Sequence, residues 1–238
     1  MPKQVVIFTG PPTSGKGTQA LWLENEAGFV HLESTPVIRE QFALHPDDPV
    51  IIDQKAKVAR GDIVDPPVIL EWMKDKVRVL AGQGKDLALS GSPRSRFEAE
   101  GDEKQQGLYP LFDELYGPQN VHNIYLRISE EDAVRRSLVR RVCEAQGHPI
   151  PDLPEYRDLT DCPWDGSKLM RRTDGLDNDE KIIRKRYRDY MGRMAYIMAY
   201  LRERGYEVLE LDGNLSIEAI HHAVIELLER RRMPVPAK

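Results

Sequence analysis

Apolar residues in this chain gather into short runs separated by longer stretches of helical period. The densest run is Val5-Val6-Ile7-Phe8. Strands are predicted at Gln4 to Thr9, Phe29 to Leu32, Asp86 to Ser90, Val121 to Arg127 and Glu207 to Asp212. Each is followed by a helix or by a loop that leads toward one. That alternation predicts βαβ units, and so an α/β fold with a parallel sheet flanked by helices. Ser129 is placed to cap a helix, with Glu130, Glu131 and Asp132 in the first turn, where the helix dipole favours acids. Val134, Leu138 and Val142 continue it as a stripe at i, i+4 and i+8. Longer helices are predicted from Asn178 to Arg204 and from Ile217 to Arg231. The Arg230-Arg231-Arg232 run before Pro234 and Pro236 reads as a helix C-terminus and a frayed tail.

One junction in this pattern carries chemistry. Directly after the first strand, residues 10 to 18 read Gly-Pro-Pro-Thr-Ser-Gly-Lys-Gly-Thr. A strand that ends in a glycine-framed loop and re-enters as a helix aims several backbone N–H groups at one point, which suits a phosphate. Lys16 adds a mobile cation for the outer phosphates. The Thr18 hydroxyl can serve a phosphate oxygen or a magnesium-bound water. The string fits GxxxxGK, but Gly17 stands where most such loops place Ser or Thr, which moves the hydroxyl one residue on.

Composition narrows the partners. The 238 residues are 40% hydrophobic and 31% charged, with a formal net charge of −5. The chain as a whole therefore offers no attraction to nucleic acid or to anionic lipid, and any anion site is local. No apolar run approaches the roughly 20 residues that cross a bilayer. The N-terminal apolar stretch is cut short by Gly10, so it does not read as a signal peptide and a cytoplasmic protein is expected. Two cysteines do not make a disulfide framework; they are either inert thiols or metal ligands. Between Glu144 and Trp164 the chain carries Pro149, Pro151, Pro154 and Pro163 and few apolar residues, which predicts a long functional loop or lid.

Further landmarks arrive in a definite order. Ser34-Thr35 and Arg39 follow the second strand, Gly61-Asp62-Ile63-Val64 precedes a helix, and Ser92-Pro93-Arg94 follows the third strand. Arg140-Arg141-Val142 precedes the proline-rich segment, and Arg172 and Arg186 come after it. With the Gly15-Lys16-Gly17-Thr18-Gln19 string, these resemble the adenylate kinase family of nucleoside monophosphate kinases, over nearly the whole span from Val5 to Leu228. The resemblance implies a P-loop NTPase-type sheet, its core formed by residues 1–32, 66–140 and 173–238. Residues 33–65 would be an insertion that clamps the acceptor monophosphate, and residues 141–172 a lid over ATP. It further implies ATP as donor, AMP as acceptor and Mg2+ on the phosphates, in a protein that works as a monomer.

The resemblance also assigns residues. Gly10, Thr13, Ser14, Gly15, Lys16, Gly17 and Thr18 would hold ATP. Ser34, Thr35, Arg39, Val64, Gly91, Arg94 and Glu98 would hold the acceptor. Lys16, Arg94, Arg136, Arg140, Arg172 and Arg186 would serve the transfer itself. Physical chemistry agrees with so cationic a set. Phosphoryl transfer is mostly positioning and charge stabilisation, and two nucleotides bring about six negative charges into one cleft. Arginine binds phosphate with a planar fork that stays charged. An arginine on a helix is also commonly a solvated surface residue, and Glu131 and Asp132 stand at pairing distance from Arg135 and Arg136.

Four departures from the family pattern are visible. Thr35-Pro36 occupies the place of a Gly-Asp pair, and Ser90 that of a strand-ending Asp, so two carboxylates that would hold magnesium-bound water are missing. Glu98 replaces a Gln that reads adenine; ionised, it only accepts, which suits a guanine edge better. In the lid, Cys143 and Cys162-Pro-Trp-Asp165 fall at zinc-ligand positions, but Gln146 stands where another ligand belongs. His148 can substitute, giving a Cys143, His148, Cys162 and Asp165 set for a structural Zn2+; a hydrogen-bonded cluster is the alternative. The leading expectation is ATP plus AMP to two ADP. Its rivals are a GMP kinase, a nucleotide-binding protein with little or no transfer, and a P-loop kinase for another small molecule.

Overall fold

A computed structural model describes residues 3–59, 62–145, 147–150, 154–171 and 179–232. In chain order the first elements are β1 (Val5–Thr9), α1 (Lys16–Ala27), β2 (Val30–Glu33), α2 (Ser34–Leu44), α3 (Pro49–Ala59), α4 (Pro66–Gly82) and β3 (Leu87–Ser90). Next come α5 (Arg96–Glu100), α6 (Leu108–Tyr116), β4 (Val121–Arg127), α7 (Glu130–Val139), β5 (Arg141–Cys143) and β6 (Pro149–Ile150). The last are α8 (Pro154–Arg157), β7 (Leu169–Arg171), α9 (Glu180–Glu203), β8 (Val208–Asp212) and α10 (Ile217–Arg232).

Five strands form one parallel sheet in the order β2-β3-β1-β4-β8. Period-two alternation sends neighbouring side chains to opposite faces. Val5, Ile7, Leu87, Leu89, Val121 and Tyr125 enter a core shared with α4, α6 and α9. Val6, Phe8, Ala88, Ile124 and Leu126 enter a second core under α1 and α10. Burial on both faces is why these strands read as continuous apolar runs. Helix α4 seals the first core because Ile69, Met73, Val77 and Ala81 recur every four residues and are all buried. β1 pairs with β3 on one side and β4 on the other, so the chain changes direction around its C-terminal end. That is where open parallel sheets place their ligands.

All five expected strands are present within one residue at either end. Ser129 caps α7 by accepting from the Asp132 N–H at 3.0 Å. The expected stripe through Val142 is corrected. Helix α7 stops at Val139, Arg140 turns to extended backbone (φ −63°, ψ 132°), and Val142 lies in β5, paired with Pro149 and Met170. No Gly or Pro marks this exit; the chain leaves the helix because β5 finds partners on both sides. The described residues of the proline-rich segment are likewise more ordered than a loop. β6, β5 and β7 make a small antiparallel sheet over a cluster of Cys143, Ile150 and Cys162, with Tyr156, Trp164 and Leu169 against it. Among the described residues, no helix is long and apolar enough to cross a membrane.

Candidate active site

The loop after β1 is shaped by a glycine that nothing else replaces. Gly10 has φ 146°, and a Cβ there would lie 2.4 Å from the Leu126 carbonyl oxygen and 2.5 Å from Ser14 Oγ. Thr13 is held at φ 63° and Gly15 at φ 102°, so the loop curls round its own centre. Gly15 caps α1 without any side-chain bond, which leaves first-turn N–H groups, Gly17 among them, free to face an anion. Thr18 is buried in the same turn, and Ser14 is fully buried beneath the loop. Thr13 Oγ1 donates to the Pro12 carbonyl at 2.6 Å and the Ala133 carbonyl at 3.3 Å.

Lys16 is folded back on this loop. Its Nζ donates to the Gly10 and Pro11 carbonyls at 2.7 and 2.8 Å. Burial of the ammonium pushes its pKa down to about 7, helped by the charges of Arg140, Arg94 and Arg186 and opposed by Glu33. The charges of Arg94 from the loop after β3, Arg140 at the end of α7 and Arg186 on α9 thus all bear on Lys16 of α1. Arg136 takes another position. Its guanidinium donates to the Thr13 carbonyl (3.2 Å), the Gly213 carbonyl (2.9 Å) and Asn214 Oδ1 (2.8 Å), tying α7 to the loop and to the turn after β8. The pairing open to Arg135 and Arg136 falls to Arg135 alone, which meets Asp132 at 2.9 Å.

On the acceptor side, Arg94 Nη2 donates to Ser34 Oγ at 2.9 Å, joining two segments sixty residues apart, and Arg94 Nε donates to the Gly91 carbonyl. Thr35 follows Ser34 into the first turn of α2, and Val64 is buried just ahead of α4. Arg39 is exposed on α2 and reaches toward the lid: a Cβ on Gly147 would lie 3.9 Å from its Nη1. Glu98 is turned neither to solvent nor outward as an idle acceptor. It is 5% exposed, and Oε2 accepts from Ser92 Oγ and from the Arg94 N–H, both at 3.0 Å. Burial raises its carboxyl pKa despite those donors.

The lid cluster is compact. One ligand atom from each of Cys143, His148, Cys162 and Asp165 lies within 4.8 Å of the others. Cys143 Sγ is 3.2 Å from Asp165 Oδ2, Cys162 Sγ is 3.5 Å from His148 Nδ1, and His148 Nδ1 is 3.2 Å from Asp165 Oδ2. The His148 N–H also points at Cys143 Sγ, 3.2 Å away. Burial holds the Cys162 thiol pKa up, and hydrogen bonds from Ser167 hold that of Asp165 well below the carboxylate range. Two thiols, an imidazole and a carboxylate are donor types that zinc accepts, and these four are close enough together to share one ion. Gln146 lies outside the described residues, as do Gly61 and Arg172.

Two residues here escaped the sequence reading. Tyr190 of α9 accepts the Gly10 N–H on its hydroxyl at 2.7 Å, with its ring 5.6 Å from Lys16 Nζ. The available signal was its place four residues after Arg186, on the same helix face. Glu33, at the end of β2, is the other.

A glycine-bent loop opening a helix at the C-terminal edge of a parallel sheet, ringed by lysine and arginine, defines a P-loop phosphotransferase. Residues 9–149 match the AAA domain family. An adenylate kinase of Archaeoglobus fulgidus is 28% identical over 231 residues, 94% of this chain and 98% of that protein. Adenylate kinases of Syntrophotalea carbinolica (29% over 226 residues; 94% and 97%) and Pyrococcus furiosus (28% over 231; 94% and 95%) are similar to it as well. The chain belongs to the AAA domain family of P-loop proteins and is a divergent member of the adenylate kinase family of nucleoside monophosphate kinases.

Proposed function

We propose that this enzyme transfers the γ-phosphoryl group of ATP to AMP, giving two ADP. The observation that carries the reading is the charge of Arg94, Arg140 and Arg186 bearing on Lys16 beside the loop after β1. Such a group of cations, unfavourable by itself, is what a cleft needs to hold donor and acceptor phosphates together. In this reading the amides of Thr13 and Gly15 to Thr18 and the Lys16 ammonium hold the donor phosphates, while the Gly10 and Ser14 amides, bonded to Tyr190 and to the Pro11 carbonyl, fix the shape of the loop. Ser34, Thr35, Arg39, Gly91 and Arg94 orient the acceptor phosphate, and Val64 lines its base. Arg140, Arg186 and Arg172 neutralise the charge spread over the transferring group, while Arg136 fixes the wall beside the donor.

Mg2+ on the ATP phosphates would screen charge between donor and acceptor, with the Thr18 hydroxyl as one oxygen for its hydration shell. An acceptor phosphate oxygen attacks the γ-phosphorus in line as the bridging bond to ADP breaks, and the residues here set that alignment. Closure of the β5-β6-β7 lid excludes water that would otherwise take the phosphoryl group. The lid cluster fits Zn2+ as a structural brace, and elemental analysis tests it.

The adenine preference rests on the relatives' names; burial raises the Glu98 carboxyl pKa and so works against its ionised form. A GMP kinase is the second reading, favoured by an ionised Glu98. The lost carboxylates at Pro36 and Ser90 favour a third, nucleotide binding with little transfer. A coupled assay with ATP and Mg2+ against AMP, GMP, CMP and UMP separates them. AMP is expected to give the highest kcat/KM, and no turnover with any acceptor would refute the kinase reading.

A further inference from the structure

The strand ends that frame the phosphate loop contain one carboxylate that the site as described does not use. Glu33 closes β2 directly beside Ser90, with which it is in register across the parallel pair. His31 stands two residues earlier, on the same face of the strand. Leu32 enters the α4 core, so His31 and Glu33 face the other way, toward α1 and the loop. Ala88 enters the α1 core, which puts Ser90 on that face too. The His31 Nε2 and Ser90 Oγ atoms are 2.7 Å apart, which fixes the serine hydroxyl at the floor of the site.

Lys16 is held by the Gly10 and Pro11 carbonyls, and Arg94 by Ser34 and the Gly91 carbonyl. Among the described residues, Glu33 itself makes no hydrogen bond and no ion pair. Its Cγ is nonetheless close in, since a Cβ on Gly91 would lie 3.8 Å from it, and its charge bears on both Lys16 and His31. A half-buried carboxylate beside a triphosphate site is repelled by the ligand unless a cation stands between them. Mg2+ is bound in such sites by phosphates, one or two carboxylates and retained waters.

We propose that Glu33 is the carboxylate that positions the metal of the magnesium–nucleotide complex, through metal-bound water, with Ser90 and His31 as the polar shelf beneath it. The role absent from Pro36 and Ser90 has moved along the same edge of the sheet to a neighbouring strand end. This rests on ATP being the donor. Glu33 is a positioning residue; it touches neither nucleotide.

The test is the coupling between Mg2+ and ATP, measured by calorimetry on the full chain with Mg2+ and with EDTA. In the unsubstituted protein Mg2+ tightens ATP binding. In Glu33→Gln that tightening shrinks about tenfold, the lower end of what outer-shell ligands contribute. ATP in EDTA binds equally well or better, because a repelling charge has gone. Ser90→Asp on the Glu33→Gln background returns a carboxylate to the same edge and restores the Mg2+ dependence. If Glu33→Gln does not fold, Glu33→Asp keeps the charge with a shorter reach and shows a smaller loss of the same coupling. An unchanged ratio of the two affinities in the folded variant overturns the proposal alone. Absence of ATP binding by the unsubstituted chain overturns the donor assignment and this inference with it.

Discussion

Lys16 Nζ donates to the Gly10 carbonyl oxygen at 2.7 Å, inside the loop that it is expected to leave when phosphate arrives. With its pKa down to about 7, Lys16 gives up its proton far more readily than an ordinary lysine. A bound polyphosphate raises that pKa, so binding takes up a proton. ATP affinity is therefore full below pH 7 and falls as pH rises through 7, by up to about tenfold per unit. Calorimetry in buffers of different ionisation enthalpy at pH 7.5 and 8.5 reads this uptake directly; an observed heat independent of the buffer would contradict it.

Replacing Lys16 by Met removes the donor-side cation and leaves the loop glycines in place. Turnover is expected to drop by orders of magnitude while the circular dichroism and melting temperature stay near the original. Near-normal kcat would refute the role.

Tyr190 anchors the loop from α9. In Tyr190→Phe the Gly10 N–H loses its partner, at a cost of about 1 kcal/mol. A drop of about 2–4 °C in Tm is expected, together with weaker ATP binding, since the loop no longer has its shape fixed in advance. Unchanged ATP affinity would mean that the tyrosine supports the fold and nothing more.

The lid cluster predicts about one zinc per chain by elemental analysis of protein purified without chelator. Cys162→Ser should remove it. Chelation should lower Tm and loosen the lid to limited proteolysis before the core is cut. A metal-free protein with an unaltered melting curve in chelator would leave the four side chains as a hydrogen-bonded brace.

Glu98→Gln keeps a carbonyl oxygen for the Ser92 hydroxyl and the Arg94 N–H and supplies an amide donor at every pH. The KM for AMP should fall severalfold and that for GMP should not. The reverse order would favour guanine as the acceptor base.

The parallel sheet was legible because each strand buries both faces, so Val5 to Phe8 and Leu87 to Leu89 stand out as unbroken apolar runs. The loop from Gly10 to Thr18 was legible for a different reason: its shape depends on glycines at fixed places, and Gly10 and Gly15 do take the positive φ that the string implies. The lid was not. β5 and β6 are three and two residues long and have no periodicity to detect; their order comes from pairing with each other and β7 and from the cluster beneath. Val142 was drawn into a helix for the same reason. Glu33 and Tyr190 were hidden because their meaning lies in distance, Tyr190 being 180 residues from the Gly10 N–H it meets.

Gly10, directly after β1, is wedged so tightly against Leu126 of β4 that the two strands share a single clearance. Any heritable change at that point would part β1 from β4 before it could alter what the loop holds.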